Sequence, residues 1–184
     1  YPFRAPAPVD PTVASTSLVD LMDDAVRRNP NGIAVVTSTA DGVVHEVTYA
    51  ELDARSTRLA RALIARGVGP EVRVAVAIRR SYESLLAEWA VTRAGGAFVP
   101  VDPNHPADRI EHMLTDSESH LGLTTADRLA DLPTVDGVEW IVLGTGPSGG
   151  QDDPADAVSA STAPLTDADR RGPVRMDAAA YVIY

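Results

Sequence analysis

The sequence contains no cysteine and no lysine, since all 16 of its basic residues are arginine. The absence of cysteine excludes disulfides, thiolate metal sites and cysteine nucleophiles. No apolar run approaches the roughly 20 residues that a membrane-spanning helix needs. The first residues also lack the basic start and apolar centre of a signal peptide. We therefore expect a protein of the cytoplasm with no membrane partner.

Basic charge is scarce as well, because 26 acidic residues against 16 arginines give a formal net charge of −10. Neutralisation of phosphates supplies most of the affinity of nucleic-acid-binding proteins, so no nucleic-acid partner is expected. The 4 histidines do not have the close spacing of a zinc site. What the composition does offer is 45% hydrophobic residues in a chain of 184, which is enough for one domain with its own core.

The chain divides into a proline-rich start and one folded domain. Residues 1–16 carry four prolines, which fix φ and remove backbone donors, so this stretch is predicted to be an extended interdomain linker. Residues 17–184 are predicted to form the domain, with a flexible loop at about 144–173 where Gly, Pro, Ser, Asp and Ala replace the periodic pattern. The apolar segment 178–184 resembles a strand that is cut short, so the natural sequence is expected to continue beyond Tyr184.

Between these limits, the hydrophobic pattern alternates between helical and strand periods. Helices are predicted at about 17–28, 48–66, 81–94 and 106–116, and strands at 33–38, 43–48, 72–78, 97–101, 121–124 and 138–143. The apolar residues with helical period are Leu18, Leu21, Met22 and Ala25 in the first helix and Leu52, Leu59 and Leu63 in the second. Repeated strand–helix–strand units predict an α/β fold with a mostly parallel sheet flanked by helices.

One glycine-rich stretch has the spacing of a dinucleotide-binding loop. Gly144, Gly146 and Gly149 match G-x-G-x-x-G directly after a predicted strand. No amphipathic helix follows, and the neighbouring carboxylates would repel a pyrophosphate. A surface loop is therefore favoured, and a dinucleotide site remains a weak alternative.

Two groups of polar residues on predicted helices are candidates for chemistry. His112 and Asp116 lie one helical turn apart, and a solvated pair is favoured over a metal site or a proton relay. Arg55, Arg58 and Arg61 are interpreted as a solvated helix face rather than an anion site.

The remaining candidates also have structural explanations. Tyr82 and Trp89 are predicted to pack in the core, and Asp23 and Asp24 are explained by the dipole of the first helix. The sequence therefore assigns no catalytic, cofactor-binding or metal-ligating residue.

Two segments, taken together, carry a family resemblance. Val47-Thr-Tyr-Ala-Glu-Leu52 and its following helix are similar to the pattern L-T-Y-x-E-L, with Val47 in place of leucine. Arg93-Ala-Gly-Gly-Ala-Phe-Val-Pro-Val-Asp-Pro103 is close to K-A-G-x-A-Y-V-P-L-D-P, with Arg93 for lysine and Phe98 for tyrosine. In this order and spacing they resemble the amino-acid adenylation domains of nonribosomal peptide synthetases, within the adenylate-forming superfamily.

The resemblance covers roughly residues 17–143 and again 178–184, the first part of the family's large N-terminal subdomain. It implies that both motifs are structural, with Gly95 and Gly96 ending a helix and Asp102 shaping the next turn. In the family, a Thr-Ser-Gly-rich loop that holds ATP phosphates follows the segment matched here by 180–184. The 184 residues are therefore expected to lack the catalytic motifs and to be inactive alone.

For the whole protein, the resemblance implies activation of an amino acid with ATP and Mg²⁺ as aminoacyl-AMP. The aminoacyl group would then pass to the phosphopantetheine of a carrier domain. The implied partners are a preceding condensation domain, reached through residues 1–16, the remainder of the adenylation domain and the carrier domain. The amino acid itself is not implied.

Three alternatives stay open. The chain is a fragment of a stand-alone acyl-CoA or aryl-acid ligase, or a non-catalytic interaction module, or a dinucleotide-binding domain. The first differs in its substrate pocket, the second would bind a neighbouring domain but no nucleotide, and the third would bind a dinucleotide in a way that depends on Gly146.

Overall fold

The computed structural model describes residues 16–38, 42–146 and 161–184, and it confirms the predicted α/β fold. Most of the predicted linker, and residues 147–160 of the predicted loop, lie outside the described residues. Within the described ranges, no helix has both the length and the apolar character needed to cross a bilayer.

The helices and strands follow the hydrophobic pattern closely. The helices are α1 (Leu18–Arg28), α2 (Tyr49–Ala65), α3 (Tyr82–Ala94), α4 (Ala107–Asp116) and the single turn α5 (Ala126–Leu129). The strands are β1 (Ile33–Ser38), β2 (Val44–Thr48), β3 (Arg73–Ala77), β4 (Ala97–Pro100), β5 (Leu121–Thr125) and β6 (Glu139–Leu143). Only α5 was not predicted, because one turn is too short to show a helical period.

Four parallel strands form the main sheet, in the order β4-β3-β5-β6. The central strands β3 and β5 are buried almost throughout because helices cover both faces. Leu59 and Leu63 of α2 pack with Leu86 of α3 in the core on one face, while Ile110 and Leu114 of α4 form the core on the other. Strands β1 and β2 form a separate antiparallel pair.

The segment 180–182 extends the parallel arrangement beyond β4. The Phe98 amide donates to the Ala180 carbonyl at 3.2 Å, and the Val182 amide donates to the Phe98 carbonyl at 3.0 Å. The rings of Phe98 and Tyr181 stack with their centroids 5.6 Å apart. The strand-like pattern of this segment therefore corresponds to a strand edge beside β4.

The predicted ends of the helices are confirmed by local hydrogen bonds. Thr48 and Glu51 form a capping box, in which the Thr48 hydroxyl accepts from the Glu51 amide at 3.2 Å and the Glu51 carboxylate accepts from the Thr48 amide at 2.8 Å. Gly95 ends α3 with a φ of 85°, in the left-handed region that glycine adopts without strain. These contacts span few residues, so the sequence pattern alone identifies them.

The apolar period of α1 is a poor guide to which side chains are buried. Leu18 and Leu21 are 46% and 53% exposed, whereas Val19 is buried. The physical reason is the contact with α3, where Asp23 of α1 forms a 3.0 Å ion pair with Arg93. This pair and Val19 fix the rotation of α1 and leave the two leucines towards solvent.

The prediction of a solvated arginine face on α2 is wrong. Arg55 is 5% exposed, and two residues of the segment 161–173 contact Arg61. The Arg61 guanidinium pairs with the Asp169 carboxylate at 3.0 Å and donates to the Ala163 carbonyl at 2.9 Å. The Thr166 amide and hydroxyl, followed by Arg61, lower the pKa of Asp169 from 3.8 to about 2.

This lowered pKa predicts a pH-dependent contribution of Asp169 to stability. We expect Asp169→Asn to be less stable than the parent chain above about pH 4, with a difference that shrinks as the pH falls towards 2. The sign follows because the folded state holds Asp169 ionised to a lower pH than the unfolded chain does. Urea unfolding at several pH values measures the difference, with the exposed Asp136→Asn as control. A difference that does not change with pH would contradict the prediction.

Candidate functional site

The carboxyl ends of β3 and β4 open into a groove with a volume of about 760 Å³. In open α/β sheets, ligands bind outside the carboxyl ends of the strands. The polar residues of this groove, which we call the carboxyl-edge groove, are Arg79, Arg80, Ser84, Glu88, Asp102, Asn104, His105 and Tyr184. They come from the segments that follow β3 and β4, from α3 and from Tyr184, two residues after the strand edge beside β4.

A chain of hydrogen bonds orients one arginine of the groove. The Asp102 carboxylate accepts from the Asn104 backbone amide at 2.9 Å and from its side-chain amide at 2.6 Å. The Asn104 side-chain oxygen in turn accepts from the Arg79 guanidinium at 2.5 Å. The Asn104 hydrogen bonds, helped by the charges of His105 and Arg79, lower the pKa of Asp102. Asp102, which the family resemblance implies shapes the turn after β4, thus also holds the Arg79 guanidinium at the carboxyl ends of the strands through Asn104.

The two arginines of the groove, Arg79 and Arg80, equal its two carboxyl groups in number, but only one of these arginines lacks a partner among the described residues. Arg80 is exposed, directly precedes the Ser81 cap of α3, and forms no hydrogen bond or ion pair in the part of the chain that the structure describes. Of the two carboxyl groups in the groove, Asp102 is engaged by Asn104, and burial raises the pKa of Glu88. The exposed guanidinium of Arg80 is suited to binding an anion rather than to nucleophilic catalysis.

The exposed residues His112 and Asp116 are brought together by a residue that the sequence analysis did not connect with them. The Tyr184 hydroxyl donates to the Asp116 carboxylate at 2.7 Å. The His112 ring lies edge-on to the Tyr184 ring, with 6.1 Å between centroids. Because Tyr184 also lines the carboxyl-edge groove, this cluster links α4 to the groove.

A second cleft, of about 400 Å³, lies at the carboxyl ends of β3, β5 and β6. Its charged groups are already engaged: Arg128 pairs with Asp127 at 2.9 Å, and the Glu83 carboxylate accepts from the Gly146 amide at 2.6 Å. The Gly146 carbonyl accepts from Arg55 at 2.7 Å. The Gly146 amide, which a bound phosphate would need as a donor, therefore already donates to the Glu83 carboxylate. This contact disfavours a dinucleotide site at the glycine motif. The third glycine of the motif, Gly149, lies outside the described residues.

The other candidates have structural roles. Tyr82 is buried as predicted, and Trp89 lies under the Arg93 guanidinium at 5.9 Å from its ring centroid. Asp23 pairs with Arg93, a more specific role than the predicted interaction with the helix dipole. No group of three or more potential metal ligands lies together among the described residues.

Sequence reasoning missed the residues of the carboxyl-edge groove. One signal was available, because the adjacent Arg79 and Arg80 lie just after strand β3, with only Ile78 between, at the edge where ligands bind. The role of Tyr184 carried no such signal, since Asp116 lies 68 residues away in the chain.

Comparison with known proteins gives consistent matches. The family model described as AMP-binding enzyme matches residues 22–184. A dimodular nonribosomal peptide synthase of Bacillus subtilis (strain 168) is 40% identical over 158 residues, which cover 84% of this chain and 6% of the relative. Novobiocin biosynthesis protein H of Streptomyces niveus is 36% identical over 183 residues, which cover 97% of this chain and 28% of the relative.

The fold has a close counterpart among solved structures. The nonribosomal peptide synthetase FmoA3, in a form bound to alpha-methyl-L-serine-AMP, superimposes with a TM-score of 0.73 at 30% identity, covering 92% of this chain and 17% of that one. This chain thus spans only a small part of the relatives that it matches, 6% and 28% of the two curated ones.

Proposed function

Because this chain belongs to the AMP-binding enzyme family, we propose that it serves as the first part of an amino-acid adenylation domain in a nonribosomal peptide synthetase. The observation that carries the proposal is the superposition on FmoA3, which is 30% identical to this chain. That FmoA3 structure was solved with a bound aminoacyl-AMP. A second FmoA3 structure, 27% identical, was solved with AMPPNP, which supports ATP as the nucleotide.

In the proposed reaction, a carboxylate oxygen of the amino acid attacks the α-phosphorus of ATP. The bond from this phosphorus to the oxygen that bridges to the β-phosphate breaks, and pyrophosphate leaves with its electron pair. In the second step, the sulfur of a phosphopantetheine thiol attacks the carbonyl carbon of the aminoacyl-AMP. The bond from this carbon to the phosphate oxygen breaks, AMP leaves with its electron pair, and the thiol proton is released, which gives the aminoacyl thioester. The described residues of this chain supply the scaffold and one wall of the site, the carboxyl-edge groove.

Mg²⁺ would neutralise charge on the ATP phosphates. The described residues do not fit a site for this ion, because no three potential ligands lie together in them. We therefore assign no metal-binding role to the described part of the chain.

The proposed partners follow from the same assignment. We place a carrier domain as the acceptor of the aminoacyl group and a condensation domain before residues 1–16, which precede α1. The name of the dimodular synthase supports a multidomain assembly of this kind. We place the protein in the cytoplasm, where ATP and amino acids are supplied.

The test is amino-acid-dependent exchange of labelled pyrophosphate into ATP, measured with the full-length protein and a panel of amino acids. We expect exchange with one or a few amino acids. Exchange that depends only on aryl or fatty acids would indicate a ligase of another branch, and no exchange with any acid would overturn the proposal. The isolated 184 residues are expected to give no exchange.

Within this function, we propose that Arg80 attracts the phosphate chain of ATP. In the full-length protein, Arg80→Ala is expected to raise the KM for ATP about fivefold with little change in kcat, because an exposed charge pair contributes about 1 kcal/mol. Arg109→Ala, which removes an exposed arginine of α4 outside the groove, is the matched control. Equal KM values for the two variants would show that Arg80 does not face the nucleotide.

A further inference from the structure

The strand edge beside β4 ends at the carboxyl-edge groove. Residues 180–182 run parallel to β4, so their carboxyl end lies at the same side of the sheet as the ends of β3 and β4. Ile183 and Tyr184 line the groove directly. The position of Tyr184 therefore sets where this part of the chain enters the groove.

Backbone hydrogen bonds hold this segment only up to Val182. The last contact of this kind in the described ranges is the 3.0 Å bond from the Val182 amide to the Phe98 carbonyl. Beyond it, the Tyr184 side chain makes the connection through its 2.7 Å hydrogen bond to Asp116. The end of the strand edge is thus fixed to α4 rather than to β4.

In the contact between Tyr184 and Asp116, the tyrosine hydroxyl is the donor. Asp116 is the last residue of α4, and its carboxylate accepts the phenol hydrogen. Partial burial, and then the hydrogen bond to Asp116, raise the pKa of Tyr184, so the phenol keeps its proton at neutral pH. The His112 ring packs edge-on against the same tyrosine, one helical turn before Asp116. The tyrosine ring is therefore held by two residues of one helix.

We propose that Tyr184, through its hydrogen bond to Asp116, is a positioning residue that aligns the phosphate chain of ATP at the carboxyl-edge groove. This inference rests on the proposed function, since it presumes a nucleotide in the groove. Tyr184 itself makes no chemical contribution. It holds the end of this segment where Ile183 and Tyr184 line the groove together with Arg79 and Arg80, and a loose end would change the shape of the groove in which the phosphates are proposed to bind.

The test uses the full-length protein with Tyr184→Phe, which removes one hydroxyl and keeps the ring. The KM for ATP in pyrophosphate exchange is expected to rise about fivefold, the equivalent of one lost hydrogen bond. The KM for the amino acid and the melting temperature are expected to stay at the parent values. Tyr181→Phe is the matched control, because Tyr181 lies on the same segment and its hydroxyl forms no hydrogen bond in the part of the chain that the structure describes.

Asp116 provides the second arm. Asp116→Ala is expected to give the same rise in the KM for ATP as Tyr184→Phe, and the double variant is expected to be no worse than either single one. Asp116→Asn keeps an acceptor oxygen and is expected to restore most of the affinity. Additive effects of Tyr184→Phe and Asp116→Ala would overturn the proposal, as would a KM for ATP in Tyr184→Phe equal to that of Tyr181→Phe. So would a parallel rise in both KM values together with a lower melting temperature, which would indicate a structural role only.

Failure of the proposed function gives a different result. In that case the parent protein itself shows no exchange with any amino acid, and binding of AMPPNP is measured directly by calorimetry. A parent protein that binds AMPPNP with a Kd about fivefold lower than that of Tyr184→Phe would still support the positioning role. A parent protein that does not bind AMPPNP would overturn both proposals.

Discussion

Replacement of Arg93 by methionine is expected to lower the free energy of unfolding by about 3 kcal/mol, since removing one member of a buried ion pair leaves an uncompensated charge. The Arg93 side chain is 3% exposed, and its guanidinium pairs with Asp23 of α1 at 3.0 Å and with Asp53 of α2. It also covers Trp89. One side chain thus joins three helices.

The largest part of this loss comes from Asp53. Burial raises the pKa of this carboxyl, and the Arg93 charge acts in the opposite direction. Without Arg93, the carboxylate remains half-buried with no cation beside it. Asp23, which is 46% exposed, regains water and contributes little.

Two control variants separate charge from packing. Arg93→Lys keeps the charge, and lysine is the residue that the adenylation-domain pattern has here. It is expected to cost about 1 kcal/mol, because an ammonium cannot match the geometry of a guanidinium that contacts two carboxylates. Arg27→Met removes an arginine whose side chain is 73% exposed and is expected to be nearly neutral. Urea unfolding of the chain and its variants measures these differences, and an Arg93→Met loss no greater than that of Arg27→Met would contradict the prediction.

Arg93 also marks the limit of what the sequence could predict. The motif that contains it is recognisable in the sequence, and the end of α3 at Gly95 follows from local chemistry. The partners of Arg93 were not predictable, because Asp23 and Asp53 lie on separate helices far from it in the chain. The same holds for Arg61, whose partner Asp169 is 108 residues away. Charge periodicity on a helix shows which face is polar, but it does not show what packs against that face.

The candidate site divides in the same way. The parallel sheet could be predicted from alternating apolar segments, and with it the edge at which ligands bind. Arg79 and Arg80 lie at this edge by their position in the sequence alone. The Asp102–Asn104–Arg79 chain and the Tyr184–Asp116 bond depend instead on the folded distances between segments. The sequence motifs indicate the family of the chain, but only the structure brings these residues together.

The contrast between α1 and α2 leads to the second large effect. Both helices carry leucines at the helical period, but Leu63 of α2 is 0% exposed and Leu21 of α1 is 53% exposed. Leu63→Ala is expected to lower the free energy of unfolding by about 3 to 4 kcal/mol, because it removes buried methyl groups and leaves a cavity in the main core.

Leu21→Ala is the matched control, since it makes the same chemical change on a helix surface. It is expected to cost less than about 0.5 kcal/mol, because little apolar area returns to water and no cavity forms. Alanine is also the better helix former, so the change does not weaken α1 locally. Urea unfolding of both variants decides between burial and periodicity as the guide to stability. A loss for Leu21→Ala as large as that for Leu63→Ala would mean that the leucine stripe of α1 is covered in solution, as the sequence period predicts and the structure contradicts.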